Sequence, residues 1–303
     1  MAKHSKEESI RKRQEPAGYA FVLPTVIFLA IFVLYPLIYN LIISFQNVDI
    51  MSFLNPNKQY VGWANYAKVV QSKVFPVSLW NTFFFTVVNL LIQFPLGLLL
   101  AIFFSKKFRF AEPLRGLMVV AWMIPMVATA GLWKWMLDTN GILNYIMVSF
   151  HLISSPIHWL TSESTAMWGV IFTNSWVGIP FNMVLLATGL STLPESVYEA
   201  ASIDGANNWQ RFWLITLPLL RPSIISVLTL GFIYTFKVFD LVYVMTGGGP
   251  VNATEVLSTF SYRLSFTDYQ FSQGSAVANI LFVILVGIGI LNLWLTKDEE
   301  VAH

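Results

Sequence analysis

VFPVSLWNTFFFTVVNLLIQFPLGLLLAIFFS, residues 74–105, contains no Asp, Glu, Lys or Arg. A helix needs roughly 20 residues to cross about 30 Å of hydrocarbon, so this stretch is long enough to span a bilayer. Its runs at 83–85 and 96–104 do not alternate apolar with polar residues, which argues against a membrane β-strand. Because lipid offers the backbone no hydrogen-bond partner, we expect a transmembrane helix.

Similar stretches recur along the chain. Uncharged segments lie at 16–48, 116–133, 164–194 and 269–296, and an apolar segment at 222–246 is interrupted only by Lys237 and Asp240. We therefore predict an all-α membrane protein with six transmembrane helices. Their predicted limits are near 19–44, 79–104, 115–136, 166–190, 222–246 and 273–296. Residues 17–296 form the predicted transmembrane domain, with short tails at 1–16 and 297–303.

Composition supports the same class. Of the 303 residues, 56% are apolar and 11% are charged, whereas soluble domains average about 45–50% and about 25%. A net charge of +2 predicts no nucleic-acid partner. The chain has no cysteine, and its four His are scattered. We therefore expect no metal site and no catalytic residue.

The distribution of basic residues predicts the orientation. With the N-terminus inside, twelve Lys and Arg residues fall in cytoplasmic segments and about five on the opposite side. Cytoplasmic loops carry the excess of Lys and Arg in membrane proteins. Both termini are therefore predicted to be cytoplasmic, in a multi-pass protein of the cell membrane.

The longest predicted cytoplasmic connection, 191–221, has the pattern of two short helices. Thr192 followed by Glu195 is typical of a capping box, which starts a helix that Gly205 ends. Asn207 or Asn208 then caps a second helix from Trp209 to Leu217, closed by Pro218. An acidic helix with small residues suits docking into a groove of another protein. Residues 195–205 contain three acids and no base, which disfavours the alternative of a helix lying on anionic lipid.

This loop resembles the EAA loop of ABC importer permeases. Glu199, Ala200, Ala201, Gly205 and the segment 215–218 match the pattern E-A-A-x3-G-x9-I-x-L-P at every fixed position. In that family, a short coupling helix in this loop inserts into a cleft of a cytoplasmic ATPase. The resemblance implies one coupling set, formed by Glu195, Glu199, Ala200, Ala201, Asp204, Gly205, Leu217 and Pro218.

Other segments are similar to one branch of the family, the carbohydrate-uptake permeases related to the maltose importer. Residues 60–66 resemble F-x-G-L-x-N-Y, with Tyr60 and Trp63 as departures. Residues 239–250 resemble F-D-x5-T-G-G-G-P. The resemblance covers 17–296 and implies the plain six-helix, type I permease fold. The glycine run 247–249 lacks the Lys-Ser/Thr context of a phosphate-binding loop and is predicted to be a flexible or closely packed outer loop.

The resemblance also implies partners and a function. The chain would be half of a permease heterodimer that moves a sugar, oligosaccharide or related solute inward by alternating access. It would bind no cofactor itself, since ATP and Mg would sit in two copies of an ATPase subunit. An extracytoplasmic solute-binding protein would deliver the substrate, and lipid would surround the spans.

Polar residues within the spans are candidates for the substrate path. They are Asn89, Gln93, Asn174, Asn182, Tyr234, Lys237, Asp240 and Asn279. For each amide, the alternative is an ordinary interhelical hydrogen bond. Lys237 and Asp240 are three residues apart and are predicted to share one helical face, either on the path or as a structural ion pair.

Two other classes stay open on residues alone. A secondary transporter or channel would need coupling acids within the membrane, and Asp240 is the one plausible candidate. A membrane enzyme would need clustered His, Asp or Glu at the interface, and the sequence has no such cluster.

Overall fold

The computed structural model describes residues 21–52, 54, 57–106 and 108–300, so the predicted tail 1–16 and the last three residues lie outside it. In this part of the chain the structure is helical, with a single antiparallel bridge between Gln46 and Tyr60. The helices are α1 (Phe21–Ser44), α2 (Ala64–Gln71), α3 (Val74–Ser105), α4 (Ala111–Met123), α5 (Met126–Met136), α6 (Ile142–Ser149), α7 (Ala166–Ser191), α8 (Glu195–Ile203), α9 (Asn208–Leu219), α10 (Arg221–Phe236), α11 (Asp240–Met245), α12 (Leu257–Tyr262) and α13 (Phe271–Glu300).

Four of these helices, α1, α3, α7 and α13, are long and apolar enough to cross a membrane unbroken. Two bent pairs, α4 with α5 and α9 with α10, bring the number to six if each pair counts as one span. The predicted all-α membrane fold is confirmed.

The third predicted span, 115–136, is not one straight helix. α4 ends at Met123, α5 begins at Met126, and their axes differ by 96°. Pro125 lacks an amide donor and pushes the residue before it out of the helical region. Ile124 accordingly has ψ 132°.

The fifth predicted span, 222–246, is also interrupted. α10 stops at Phe236, and α11 starts only at Asp240. Val238 N donates to Thr235 O in a tight turn, and Ser258 Oγ donates to Val238 O. The break therefore leaves that carbonyl satisfied, as a buried helix end requires.

The centre of the fold is the pair α3 and α7, which pack closely along their length. Two glycines allow this approach. A Cβ on Gly97 would lie 2.6 Å from Asn182 Cβ, and one on Gly178 would lie 2.2 Å from Gln93 Cδ. Side chains at either position would separate the two helices, because packed interiors have no spare space of that size.

The loop after α11 is closely packed. Gly247 and Gly248 have φ +61° and +88°, which favour glycine. Asn81 Nδ2 of α3 donates to three backbone carbonyls in the segment 252–255, at 3.0–3.2 Å. Of the two predicted states, flexible or closely packed, the structure shows the second.

Candidate functional site

The 191–221 segment contains two short helices, but the first begins differently from the prediction. Pro194 is the N-cap of α8, and no side chain caps it. Thr192 instead ends α7, and its Oγ1 donates to Gly189 O at 2.8 Å. The predicted Thr192–Glu195 capping box is therefore wrong, because the Thr hydroxyl is used by the preceding helix.

The end of α8 agrees with the prediction for Gly205. This residue has φ +80°, Ala206 N donates to Ala201 O, and Gly205 N donates to Ser202 O. These two bonds form a Schellman motif, which requires a left-handed residue at that position. A Cβ on Gly205 would meet no atom within 4 Å, so the backbone angle, not space, favours glycine there.

The second short helix starts as expected. Asn207 Oδ1 accepts from Gln210 N and Gln210 Oε1 accepts from Asn207 N, both at 2.9 Å. This is a full capping box. The helix continues to Leu219 through a π-helical turn, so Pro218 does not close it.

The predicted coupling residues are mostly on the surface. Glu195, Glu199, Ala200, Asp204, Gly205 and Pro218 are exposed, Leu217 is half-buried, and Ala201 is buried. The two alanines therefore do not form one outer face. Tyr198 Oη lies 2.9 Å from Thr216 Oγ1 and ties α8 to α9, so the acidic surface is held on a folded support.

A cavity of about 400 Å³ lies between α3, α7 and the break after α10. Its polar lining consists of Gln93, Asn174, Thr235, Lys237 and Asp240. Its aromatic lining consists of Trp122, Phe181, Tyr234 and Phe239. The rings of Phe181 and Tyr234 meet edge to face at 5.8 Å. Sites for organic ligands combine apolar walls with a few fixed polar groups in this way.

Five of the eight predicted path residues line this cavity, namely Gln93, Asn174, Tyr234, Lys237 and Asp240. The other three lie elsewhere. Asn89 is fully buried behind the wall. Asn182 Nδ2 donates to Gly178 O at 2.8 Å. Asn279 bridges Asn40 and Tyr66 at 2.8 and 3.2 Å, an interhelical clamp that joins α1, α2 and α13.

Lys237 and Asp240 do not share one helical face, because the helix breaks between them. Lys237 Nζ lies 5.1 Å from the centre of the Tyr234 ring, a cation–π geometry. Asp240 is in the first turn of α11, where a negative charge is favourable. Among the described residues, the ion pair is between Arg263 and Glu255, so Lys237 and Asp240 are not bonded to each other.

The sequence singled out Tyr234 and, within the 239–250 motif, Phe239, but not the other aromatic lining residues. Trp122 and Phe181 are two of 36 Trp and Phe residues, 11 and 25 in number, and nothing local distinguishes them. The spacing on α7 was the available signal for Phe181, because Asn174 and Phe181 are seven positions apart and lie on one helical face. The described residues contain no cluster of His, Asp or Glu that could hold a metal ion.

Known proteins resemble this chain over most of its length. A family described as "Binding-protein-dependent transport system inner membrane component" matches residues 93–295. The trehalose/maltose transport system permease protein MalF of Thermococcus litoralis is 32% identical over 286 residues, covering 94% of this chain and 95% of that protein. The lactose transport system permease protein LacF of Rhizobium radiobacter is 29% identical, covering 96% and 98%.

One solved structure with the same fold is a bacterial alginate ABC transporter in complex with an alginate pentasaccharide-bound periplasmic protein. A chain of that complex superposes with a TM-score of 0.81 at 23% identity, covering 94% of this chain and 96% of its own. This likeness concerns the fold.

Proposed function

The chain belongs to the family of binding-protein-dependent transport system inner membrane components, and we propose that it carries a sugar or oligosaccharide as half of a heterodimeric permease. It is a membrane-spanning permease subunit of an ABC importer. The family therefore favours this class over a secondary transporter or channel.

The cavity is the observation that carries the choice of substrate. Sugars present apolar ring faces that stack on aromatic side chains, and hydroxyls that exchange hydrogen bonds with amides. The aromatic surfaces for stacking are those of Trp122, Phe181 and Tyr234. The amides for hydrogen bonding are those of Gln93 and Asn174. The names of the relatives, trehalose/maltose and lactose permeases, agree with this class.

ATP hydrolysis takes place in partner subunits under this proposal. The sequence contains no G-x4-G-K-[ST] nucleotide-binding motif, so ATP and Mg bind elsewhere. Two ATPase copies dock on the cytoplasmic side, one of them against α8. The exposed acids Glu195, Glu199 and Asp204 provide its charged rim, and Gly205 fixes the end of the helix.

The orientation completes the proposal. Both termini and the segment 191–221 face the cytoplasm, as the distribution of basic residues indicates. The outer loops, including 246–256, face the solute-binding protein. ATP-driven closure of the ATPases then moves α8 and, through Tyr198 and Thr216, the helix pair α9–α10. Since α10 carries Tyr234 into the cavity, this movement reaches the substrate directly.

Uptake by the reconstituted importer tests this function. The chain is co-expressed with its partner subunits, placed in proteoliposomes, and supplied with a binding protein and radiolabelled maltose, trehalose or lactose. ATP on the cytoplasmic side should drive accumulation of at least one sugar, and a Walker-lysine variant of the ATPase should abolish it. Accumulation without ATP, driven by an ion gradient, would contradict the proposal.

A further inference from the structure

Asn89 is a fully buried amide in the middle of α3 that does not reach the cavity. Its Oδ1 accepts three hydrogen bonds: from Gln93 Nε2 at 3.1 Å, Asn174 Nδ2 at 2.9 Å and Ser175 Oγ at 3.1 Å. Its Nδ2 donates to Phe85 O of the same helix at 2.8 Å. Asn89 therefore has a fixed direction, because a flipped amide would oppose donor to donor.

The fixed direction of Asn89 sets the direction of two cavity residues. Gln93 Nε2 also donates to Asn174 O at 3.2 Å, so both of its hydrogens are used. Gln93 and Asn174 each line the cavity. Neither of their side-chain oxygens is among the buried side-chain atoms of the described residues that lack a hydrogen-bond partner. Gln93 therefore offers its Oε1 to the cavity, and Asn174 offers its Oδ1 together with the second hydrogen of Nδ2.

Gly178 leaves the space in which the Gln93 side chain lies. A Cβ on Gly178 would lie 2.2–2.5 Å from the three terminal atoms of the Gln93 side chain. The amide of Gln93 thus rests directly on the backbone of α7. Steric contact and the hydrogen bonds to Asn89 hold it in the same place.

We propose that Asn89 is a positioning residue that turns the carbonyl oxygens of Gln93 and Asn174 toward the substrate. The cavity wall then accepts hydrogen bonds and selects substrates that donate them, which means the hydroxyls of an uncharged sugar. The inference rests on the proposed function, sugar import, and adds the determinant of specificity.

The charges around the cavity agree with an uncharged substrate. Its ionisable lining groups are Lys237 and Asp240, which have opposite signs. Lys237 Nζ already lies over the Tyr234 ring. A carboxylate substrate would meet two amide oxygens and the Asp240 carboxylate, and Lys237 would be the one cationic lining group to offset them.

Two variants of α3 separate positioning from simple burial. Asn89→Leu removes the acceptor at nearly constant size. Thr86→Val is the matched control, because Thr86 is equally buried on the same helix and its hydroxyl donates only to Thr82 O. Asn89→Asp keeps an acceptor oxygen and should recover part of the affinity.

The measurement is uptake of the sugar carried by the reconstituted importer, with KM and the maximal rate determined separately. Asn89→Leu should raise KM roughly tenfold or more, as expected when the sugar loses its two hydrogen bonds to Gln93 and Asn174, while basal ATP hydrolysis stays unchanged. Thr86→Val should leave KM within about twofold. Gly178→Ala should raise KM in the same way, because it displaces Gln93 with Asn89 intact.

The outcomes are distinct. Failure of the wild-type chain to carry maltose, trehalose or lactose would reject the proposed function. Normal wild-type uptake with equal KM for Asn89→Leu and Thr86→Val would reject the positioning role. If the importer with Asn89→Leu does not assemble, an unchanged KM in Gly178→Ala would reject the positioning role instead. Competition by an alginate disaccharide as strong as that of an unlabelled neutral sugar would overturn the substrate class.

Discussion

Gly205 is the residue at which the matched sequence pattern and the backbone geometry agree. Its φ of +80° closes α8, and no neighbouring atom restricts a side chain there. A β-branched residue in the left-handed region costs roughly 1–2 kcal/mol. Any loss of function on substitution therefore reports the direction of the chain after α8, and not a steric clash.

Gly205→Val should reduce uptake and substrate-stimulated ATP hydrolysis together, by roughly tenfold, without loss of membrane insertion. The matched control is Gly116→Val, since Gly116 also has open space but no positive φ. Sugar uptake and ATP hydrolysis are measured in the same proteoliposomes. Uptake and ATP hydrolysis at wild-type rates in Gly205→Val would show that Gly205 is not needed for α8 to act on the ATPase.

Glu255 is expected to make the stability of the loop after α11 depend on pH. Its side chain is 1% exposed, and burial raises the pKa of its carboxyl above the ordinary value of 4.5, although Thr259 and the Arg263 guanidinium 2.8 Å away act in the opposite direction. The native loop therefore binds the proton more tightly than the unfolded chain. Its stability is highest below the unfolded pKa and falls as pH rises through the native pKa.

Amide hydrogen exchange of residues 248–256, corrected for intrinsic rates, should show less protection as the pH rises above about 4.5. Glu255→Gln should remove most of that dependence, because the amide does not ionise. A wild-type loop whose protection increases over the same interval would show that the ion pair with Arg263 outweighs burial.

At the scale of the helices, length and composition predicted where the chain crosses the membrane, and local chemistry determined where it bends. The unbroken helices α3 and α7 extend over the predicted spans 79–104 and 166–190. The bend at Pro125 had a visible cause, but proline is common inside membrane helices, as in Pro95 within α3. Composition therefore cannot decide which proline breaks a helix.

The break at 237–239 was not predictable, because no proline or glycine lies there. It depends on Ser258, more than twenty positions from the end of α10, which satisfies the freed carbonyl of Val238. Placement of the amides was similarly beyond the sequence. Asn279, Asn182 and Asn174 are all amides within apolar spans, so the sequence does not distinguish them. Packing alone places Asn174 in the cavity lining and the other two in hydrogen bonds elsewhere.

The break makes a sharp prediction for Lys237 and Asp240. Because Lys237 and Asp240 form no ion pair, replacing both residues should not restore the uptake that is lost when one of them is replaced. Asp240→Asn should lower the maximal uptake rate more than it lowers thermal stability. Lys237→Met with Asp240→Leu should remain defective in uptake. Full uptake by the double variant would instead indicate a structural pair, in which removing both partners spares each from burial alone.

At the scale of the whole molecule, the orientation proposal is testable through the absence of cysteine. Single cysteines at Ser155 and Val251, both exposed, should react with an impermeant thiol reagent added outside. Cysteines at Ser105 and Asn208, also exposed, should react only after permeabilisation. The reverse labelling pattern would reject a cytoplasmic position for α8.

Docking of α8 on a separate ATPase can be detected with a cross-link. Ile203 is 87% exposed at the end of α8, so a single cysteine there is accessible to a short bifunctional reagent. In inside-out vesicles containing the assembled importer, Ile203→Cys should form an adduct with the ATPase subunit whose yield changes on addition of ATP. A complex that transports sugar normally but gives no ATPase adduct from Ile203→Cys would show that α8 does not dock on the ATPase.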